Sequence, residues 1–308
     1  MSPRRILVTG AGGFVGQHMM QALAEAFPTT ALDGAKFDVT DPTAVEVAIA
    51  AAKPDVLVHL AAIAAIPAAR NDPGRAWNVN LHGTLAVGRA LMAHAPDCRM
   101  LFASSADIYG GSFHQGEPLA EDAVLAPLNT YGATKAAADL ALGAMAAEGL
   151  RVIRVRAFNH TGPGQAADFV VAAFAEQVAR VAAGLQPPVL RVGALEPMRD
   201  FMDVRDVCAA YVACLRRGVE LPPGTILNLA SGQPRRVGDV LQALLDASGI
   251  QADVQSDAGR LRSTDIAVAV GDARLAHHLL GWVPTIPWTQ TIDDVLADWK
   301  ARVSTATS

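Results

Sequence analysis

The chain has 308 residues, of which 51% are hydrophobic and only 5% aromatic, and its formal net charge is −5. This length suits one large α/β unit or two closely joined lobes, and the mild charge without a basic stripe argues against a nucleic-acid partner. No apolar stretch is long enough to cross a bilayer, no signal peptide is recognisable, and Cys98, Cys208 and Cys214 form no C-x-x-C pair and fit reduced core thiols, so we expect a cytoplasmic protein with no membrane partner.

The first predicted elements are a strand, a glycine-rich turn and a helix. The apolar run 5–9 is followed at once by a turn with Gly10, Gly13 and Gly16, and then by a helical pattern to Phe27. Gly10 permits the tight turn, Gly13 lets the backbone approach a diphosphate, and Gly16 allows close helix–strand packing. The helix amino terminus offers unpaired N–H groups to the phosphates. Placed between a strand and a helix, this turn predicts dinucleotide binding rather than a simple loop.

The second predicted strand is short, spans residues 29–32 and ends beside Asp33. A carboxylate at this place hydrogen-bonds the adenosine ribose and disfavours a 2′-phosphate, whereas Lys36 could receive the phosphate of NADP. The expectation therefore leans only slightly toward NADH. Asp38 opens a loop into a helix with Pro42 in its first turn, and it either faces the adenine amino group or forms an Asx turn.

A buried strand is predicted within 55–62, and the small residues at its end would let a cofactor lie against the backbone. His59 within this strand is more typical of a satisfied core histidine than of a ligand. A long helical segment over 73–95 contains Asn80, which either holds a helix kink, bridges water to a lysine, or is a polar packing residue. The regular alternation of strands and helices predicts right-handed βαβ units and a parallel sheet of the Rossmann type.

Two polar segments in the middle of the chain carry the candidate chemistry. Ser105 follows the apolar run 100–103 and would lie at the carboxyl end of a strand, where its hydroxyl can hydrogen-bond a substrate oxygen. Tyr131 and Lys135 would share one face of a helix. At roughly 4 Å the ammonium would favour the phenolate by about 4 kcal/mol, which predicts a phenol that exchanges protons near neutral pH. Alone, this pair is also typical of an exposed helix face.

The carboxyl-terminal part is interpreted as the substrate side. Arg199 and Arg262 are assigned to a diphosphate because guanidinium groups match phosphate oxygens in a bidentate way, although salt bridges to Asp200 or Asp265 are an open alternative. Asn159 can donate its amide to a phosphate or sugar oxygen, and no metal-ligand spacing appears. The pattern predicts an edge strand and three helices here. These elements span 187–192, 168–184, 237–247 and 288–299.

The chain resembles the extended short-chain dehydrogenase/reductase family over essentially its whole length. The resemblance rests on the glycine turn, the Asn80 stretch, Ser105-Ala-Asp-Ile-Tyr109-Gly110 and Tyr131-x-x-x-Lys135. Three later segments look most like the GDP-6-deoxy-4-keto-mannose reductases, which form GDP-rhamnose; these segments are 156–165, 199–206 and 271–284. The chain departs from the usual pattern where Ala157 and Ser263 replace prolines.

The resemblance implies an α/β fold with a Rossmann-type doubly wound parallel sheet and a smaller α/β substrate-binding domain. Residues 1–160 are expected to form the NAD(P)-binding domain, with 200–231 returning to it. Residues 161–199 and 232–308 are expected to bind the sugar nucleotide. Two helices of the larger domain resemble the pair that forms a four-helix dimer interface in this family, which implies a homodimer.

The implied activity is NAD(P)H-dependent reduction of the 4-keto group of a GDP-4-keto-6-deoxyhexose to a GDP-6-deoxyhexose such as GDP-D-rhamnose. A sugar-nucleotide 4,6-dehydratase, a 4-epimerase and a non-catalytic NAD(P)-sensing protein are the alternatives. Ala106 argues against a dehydratase because it can transfer no proton. Asp107 is one methylene shorter than the Glu that GDP-mannose dehydratases place there, and it is expected to hydrogen-bond the sugar or to cap the local turn.

The resemblance also implies a role for each site residue. Among the catalytic residues Ser105 orients the carbonyl oxygen, Tyr131 delivers the proton, and Lys135 holds ribose hydroxyls and tunes the tyrosine. The cofactor-binding residues are expected to be Gly10, Gly13, Phe14, Val15, Gly16, Asp33, Asp38, Val39, Leu60, Ala61, Ala62, Asn80, Tyr131, Lys135 and Phe158. The substrate-binding residues are expected to be Ser105, Asp107, Asn159, Arg199 and Arg262.

Overall fold

The computed structural model describes residues 3–217, 220–257, 259 and 266–305. It consists of helices layered on two main sheets and a small third one. The strands are β1 (Arg5–Thr9), β2 (Ala31–Gly34), β3 (Val56–His59), β4 (Arg99–Ala103), β5 (Val152–Ala157), β6 (Asn159–Thr161), β7 (Val189–Val192), β8 (Met198–Asp203), β9 (Ile226–Leu229), β10 (Pro234–Arg236), β11 (Asp253–Ser256) and β12 (Val268–Ala269).

The helices alternate with the strands in the first half of the chain and dominate the second half. A π-helical segment and two 3₁₀ segments interrupt this pattern at Asn78–Gly83, Ala106–Ile108 and Gly110–Gln115. The α-helices are α1 (Phe14–Ala26), α2 (Pro42–Ala52), α3 (Ile66–Asn71), α4 (Pro73–Trp77), α5 (Thr84–His94), α6 (Thr130–Ala147), α7 (Val170–Ala182), α8 (Val204–Arg217), α9 (Val237–Ser248), α10 (Arg274–Leu280) and α11 (Trp288–Thr305).

The large sheet has six parallel strands in the order β2-β1-β3-β4-β5-β9. The chain moves from β1 to β2 on one side and then returns to place β3 on the other side of β1. At such a reversal the loops after the two strands leave a crevice at their carboxyl ends, which is where open α/β sheets bind ligands. Thr9 and His59 pair in register at this edge and mark the crevice.

Helices cover both faces of this sheet because its strands are apolar on both sides. In β1, Ile6 and Val8 join the core under α1 and α8, whereas Leu7 joins the core under α2, α5 and α6. Such near-continuous apolar strands are expected in a parallel sheet that is buried on both faces. The predicted doubly wound Rossmann-type fold is therefore confirmed.

A second sheet forms beside the large one, where β8 pairs with β10, β12 and β6. Helices α7, α9 and α11 pack together with Phe201 of β8 and with β7 in a separate core, and β11 pairs with β7 at the surface. The region 200–231 contributes to both layers, since β8 lies in the second sheet whereas β9 joins the large one. The domain boundaries given above remain predictions.

Most predicted elements are present with small shifts of their ends. The second strand is Ala31–Gly34 rather than 29–32, because Thr30 still belongs to the turn in which its N–H bonds the carbonyl of Phe27. The last helix continues to Thr305, beyond the predicted end at 299. Among the described residues, no helix is both long enough and apolar enough to span a membrane.

Candidate active site

The glycine turn after β1 is shaped by close backbone contacts. Gly10 has a φ of +70°, and a Cβ on it would lie 2.8 Å from the backbone nitrogen of Ala61. A Cβ on Gly16 would lie only 2.1 Å from the carbonyl oxygen of Gly10. Gly13 is the N-cap of α1 and provides no side-chain cap, so the first N–H groups of the helix are open to an anion. These features fit the diphosphate of a dinucleotide.

Phe14 and Val15 begin α1, and their side chains are used in packing. Phe14 stacks on His160, with ring centroids 6.3 Å apart and an angle of 11° between the rings. Val15 packs against the core between the large sheet and α8. Since both side chains are engaged, what these two residues offer a coenzyme is their backbone.

The predicted adenosine-binding residues lie around the end of β2. Asp33 is exposed near the carboxyl end of that strand, and Lys36 is exposed in the following loop. The carboxylate of Asp38 accepts hydrogen bonds from the Thr40 N–H at 2.9 Å and from its hydroxyl at 2.8 Å, and both bonds lower the pKa of Asp38. The Asx-turn interpretation is thus confirmed. Val39 is buried against the π-helical segment at Gly83.

Ser105 and Tyr131 meet at the carboxyl edge of the sheet, as the sequence predicted. Ser105 follows β4 by two residues and is the N-cap of a 3₁₀ turn, where its hydroxyl accepts the Asp107 N–H at 3.1 Å. The first turn of α6 lies directly on this 3₁₀ turn, because a Cβ on Gly132 would be only 2.7 Å from the Asp107 carbonyl oxygen. The Ser105 hydroxyl lies close enough to the Tyr131 phenol to lower the pKa of that phenol. A hydroxyl and a phenol therefore face one place in the crevice.

The electrostatics of this pair differ from the expectation. Burial raises the pKa of the Tyr131 phenol, the Asp107 carboxylate raises it further, and the hydrogen bond from Ser105 lowers it. Lys135 does not point its charge at the phenol. Its Nζ donates to the carbonyl oxygen of Ala103 and lies 4.2 Å from the ring centroid of Phe102. The predicted depression of the tyrosine pKa by Lys135 is therefore not found in this structure.

Lys135 itself has a perturbed pKa. Only 3% of the residue is exposed, and burial lowers the pKa of its ammonium to about 7, although the nearby Asp139 carboxylate acts in the opposite direction. Asp139 is fully buried and pairs with Arg154 and Arg156 at 3.0 Å each. The sequence analysis did not identify Asp139. Its position four residues after Lys135, on the same helix face, was the available signal.

Asn80 is fully buried in the π-helical segment, so its interpretation as the holder of a helix irregularity is confirmed. Its amide bonds the backbone of Ile63 in both directions and donates to the Thr134 hydroxyl at 2.9 Å. His59 is a satisfied core histidine, with Nδ1 2.7 Å from the Thr9 hydroxyl and Nε2 3.0 Å from the Thr84 hydroxyl. Both side chains thus hold elements of the crevice together.

The remaining predicted coenzyme contacts differ in their exposure. Leu60, Ala61 and Ala62 are half-buried after β3, beside the glycine turn. Phe158 is only 2% exposed and packs in an aromatic cluster with Tyr109. Its side chain is a core element, so the structure gives no support for a coenzyme contact by the Phe158 ring.

Two further candidate substrate residues, Asn159 and Arg199, lie on β6 and β8. Asn159 is exposed and pairs with Phe201, which brings it next to the strand that carries Arg199. The Arg199 guanidinium donates to the carbonyl oxygens of Met198 at 2.8 Å and Ile266 at 3.1 Å. Asp200 accepts bonds from the Ser231 hydroxyl and the Gly232 N–H. Arg262 and its neighbour Asp265 lie outside the described residues.

Comparison with known proteins agrees with this geometry. GDP-6-deoxy-D-mannose reductase of Pseudomonas aeruginosa is 36% identical over 97% of this chain and 98% of its own length. The structure of RMD from Pseudomonas aeruginosa complexed with NADPH has a TM-score of 0.89, with 34% identity over 97% of this chain and 99% of that one. UDP-glucose 4-epimerase of Thermus thermophilus, solved in complex with NAD, has a TM-score of 0.83, with 26% identity over 96% of this chain and 99% of that one.

A family model also matches most of the chain. The model is described as the NAD dependent epimerase/dehydratase family, and it covers residues 6–230. This range contains the glycine turn, the Ser105 turn and the Tyr131 helix, which the structure brings together at one edge of the large sheet. The chain belongs to the NAD dependent epimerase/dehydratase family.

Proposed function

We propose that this protein reduces the 4-keto group of a GDP-linked 4-keto-6-deoxyhexose with NAD(P)H and forms GDP-D-rhamnose. The observation that carries this proposal is the close approach of the Ser105 turn and the Tyr131 helix at the carboxyl edge of the large sheet, with no proton-transferring side chain at Ala106. The 36% identity to GDP-6-deoxy-D-mannose reductase over 97% of the chain supports the nucleotide and the sugar.

In this mechanism a bound nicotinamide coenzyme supplies the hydride to the carbonyl carbon. Ser105 donates a hydrogen bond to the carbonyl oxygen and so fixes its position. Tyr131 transfers its phenolic proton to that oxygen as negative charge develops there, and its raised pKa keeps it protonated until then. Lys135 is assigned to the ribose hydroxyls of the bound coenzyme.

On the substrate side, Asn159, Arg199 and Arg262 are proposed to hold the nucleotide diphosphate and Asp107 to hydrogen-bond the sugar. The register of β6 on β8 supports this for Asn159 and Arg199, which it brings onto neighbouring strands. Arg199 already reaches two backbone carbonyls, so its guanidinium has a fixed direction, and a fixed fork loses less freedom on binding phosphate.

The coenzyme preference is proposed to depend on Asp33 and Lys36, both exposed at the end of β2. Asp33 favours NADH by pairing with ribose hydroxyls and by repelling a 2′-phosphate, and this is the basis of a slight lean to NADH. Replacement of Asp33 by Ser should raise the kcat/KM for NADPH relative to NADH. An unchanged ratio in coenzyme oxidation assays would remove Asp33 from coenzyme selection.

The proposal extends to assembly and location. We infer a homodimer that buries the outer faces of α5 and α6, because Leu140 of α6 is 59% exposed although it is a large apolar side chain. We also infer a cytoplasmic location. Three buried free thiols suit a reducing compartment, and nucleotide sugars and NAD(P)H are cytoplasmic reactants.

One experiment with two arms tests the reaction. Supplied with GDP-4-keto-6-deoxymannose and either NADH or NADPH, the protein should oxidise one coenzyme for each sugar reduced, and chromatography should show GDP-D-rhamnose. Supplied with GDP-mannose and no reductant, it should form no keto sugar. Keto-sugar formation in the second arm, with no coenzyme oxidation in the first, would identify a dehydratase. If the protein binds the coenzyme but neither arm shows a reaction, the result would favour the non-catalytic NAD(P)-sensing protein.

A further inference from the structure

Five buried polar residues are linked by hydrogen bonds from the glycine turn to helix α6, and the path passes through Asn80 from its backbone carbonyl to its side-chain amide. Each residue is at most 1% exposed. The chain begins at the last residue of β1, directly before Gly10, and it ends at the carbonyl oxygen of Tyr131. Its members are Thr9, His59, Thr84, Asn80 and Thr134, in the order of the hydrogen bonds.

The direction of each bond in the first half follows from chemistry. The Thr84 hydroxyl lies 2.8 Å from the backbone carbonyl oxygen of Asn80, which can only accept, so Thr84 donates there. It must therefore accept from His59 Nε2 at 3.0 Å, which places the ring proton on Nε2. In the neutral ring Nδ1 is then an acceptor, and it receives the Thr9 hydroxyl proton at 2.7 Å.

The second half is equally determined. The Thr134 hydroxyl donates to the Tyr131 carbonyl oxygen at 2.8 Å, so it accepts from the amide of Asn80 at 2.9 Å. The other amide bonds of Asn80 go to the backbone of Ile63, which follows β3. The Thr9 hydroxyl also accepts the Ala61 N–H at 3.3 Å, so every hydroxyl in the chain donates once and accepts once. A shift at one end cannot be absorbed without breaking a buried bond.

His59 stays neutral in this arrangement. Burial lowers the pKa of its imidazole to about 3, and the charge of Lys135 acts in the same direction. The ring is also fixed from the side, because it stacks on Phe102 with ring centroids 6.0 Å apart. At neutral pH the chain thus holds one pattern of protons and acts as a rigid connection.

We propose that this chain couples the coenzyme-binding turn to the first turn of α6, with His59 as a positioning residue for Tyr131. An adenosine diphosphate group bound at the turn fixes Gly10 and, with it, Thr9. The chain transmits that restraint through His59 and Asn80 to the backbone that carries the phenol. The kinetic part of the test rests on the proposed reductase function, whereas the exchange part does not.

The kinetic part uses threonine substitutions that keep the side-chain shape. Thr134→Val should lower kcat on the order of tenfold, because the Tyr131 backbone loses its restraint, while the KM for the sugar nucleotide stays within about twofold. Thr134→Ser keeps the hydroxyl and should recover most of the kcat. Thr291→Val is the matched control, since Thr291 is fully buried and donates to Asp203 outside the chain.

A double-mutant cycle tests whether the two ends act together. Thr9→Val alone should lower kcat on the order of tenfold, and the double variant with Thr134→Val should be no slower than the slower single variant. Independent effects would instead multiply to about a hundredfold. Multiplying effects, or a Thr134→Val variant with wild-type kcat, would overturn the coupling.

The exchange part uses ADP, which carries the diphosphate that the glycine turn takes and has no nicotinamide to touch Tyr131. Saturating ADP should slow amide hydrogen exchange over residues 131–135 in the wild type and in Thr291→Val, but not in Thr9→Val or Thr134→Val. Equal slowing in all four proteins, or none in the wild type, would overturn the proposal. A protein that shows the coupling but reduces no keto sugar would refute the proposed function and keep this inference.

Discussion

At the scale of single residues, Tyr131 is held protonated by its surroundings. Burial and the Asp107 carboxylate both raise the pKa of the phenol, and only the hydrogen bond from Ser105 opposes them. Such a phenol is protonated at neutral pH, which is the state that a proton donor needs before the reaction.

Replacement of Tyr131 by Phe should lower kcat by about 100-fold or more, because it removes the proton donor while keeping the ring. Coenzyme binding should stay close to normal. The measurement is coenzyme oxidation with the keto-sugar nucleotide, together with titration of coenzyme fluorescence. A variant that keeps most of its kcat would exclude Tyr131 from the mechanism.

Tyr109→Phe is the matched control for that prediction. The Tyr109 hydroxyl is buried, donates to Asn228 at 2.7 Å and accepts from Arg156 at 3.0 Å. Its loss should lower the free energy of unfolding by about 1–3 kcal/mol, since two buried polar groups lose a partner. Its effect on kcat should be small. Chemical denaturation and the same kinetic assay separate the two tyrosines.

Lys135 predicts a pH dependence of stability. Its pKa is about 7 in the folded protein and 10.5 in the reference state, so between these values the unfolded chain binds more protons. Stability therefore rises with pH across this window, by up to about 1.4 kcal/mol per pH unit. Urea unfolding between pH 7 and 8.5 should show a smaller rise in Lys135→Met than in the wild type. Equal slopes in the two proteins would mean that folding does not lower the pKa of Lys135.

Sequence reasoning selected Tyr131 and Lys135 as candidate reacting residues but did not predict their electrostatics. The four-residue spacing correctly places Tyr131 and Lys135 one helical turn apart. It cannot show that the ammonium turns toward the Ala103 carbonyl and the Phe102 ring, because those contacts come from the neighbouring strand. Likewise, the burial that sets the pKa of both groups depends on tertiary packing, which a spacing pattern does not contain.

At the scale of elements, α6 and the Ser105 turn form one unit. They approach so closely at Gly132 that an added Cβ would lie 2.7 Å from the Asp107 carbonyl oxygen. A backbone atom cannot move aside as the end of a side chain can. Gly132 is thus needed for α6 to pack this closely on the Ser105 turn. No role for this glycine was predicted from the sequence.

Gly132→Ala should therefore displace the start of α6 from the Ser105 turn. We expect a loss of kcat of about 100-fold, since a displacement near 1 Å at the reacting groups costs this much. Gly111→Ala is the control, because its Cβ would meet only ordinary contacts at 3.7 Å. If Gly132→Ala retained wild-type kcat, the close approach would have no catalytic consequence.

The π-helical segment shows where pattern reasoning ends at this scale. The sequence predicted one helix over 73–95, and the structure divides it into α4, Asn78–Gly83 and α5. The wider turn lets Asn80 reach both Ile63 and Thr134. Hydrophobic periodicity gives only the average number of residues per helical turn. It therefore cannot detect a single turn that contains one extra residue. A buried asparagine in an apolar helix was the only local signal of such an irregularity.

At the scale of the whole molecule, the parallel arrangement of the large sheet was predictable because strands and helices alternate regularly in the first half of the chain. The second sheet was not, since β6, β10 and β12 have only two or three residues each and come from distant parts of the chain. Short strands carry too little alternation to be recognised. The assignment of the substrate-binding region consequently depends more on resemblance to the family than on sequence patterns.

The exposed face of α6 predicts the assembly of the molecule. Leu140 is 59% exposed in the middle of this helix, and Leu128 just before it is 46% exposed. Burying such side chains against a second copy removes apolar area from water, and a face rich in Ala allows helices to approach closely. Light scattering at micromolar concentration should therefore give the mass of a dimer.

Leu140→Glu should convert that dimer to a monomer, because two copies of the charge would meet at a symmetric interface and lose their hydration there. Val47→Glu is the matched control, since Val47 is 65% exposed on α2. It carries the same change of charge and should leave the mass unchanged. A wild-type monomer, or equal dissociation in both variants, would show that the α6 face is not the interface. Because the variant keeps Ser105, Tyr131 and Lys135 in place, its kcat separates assembly from chemistry.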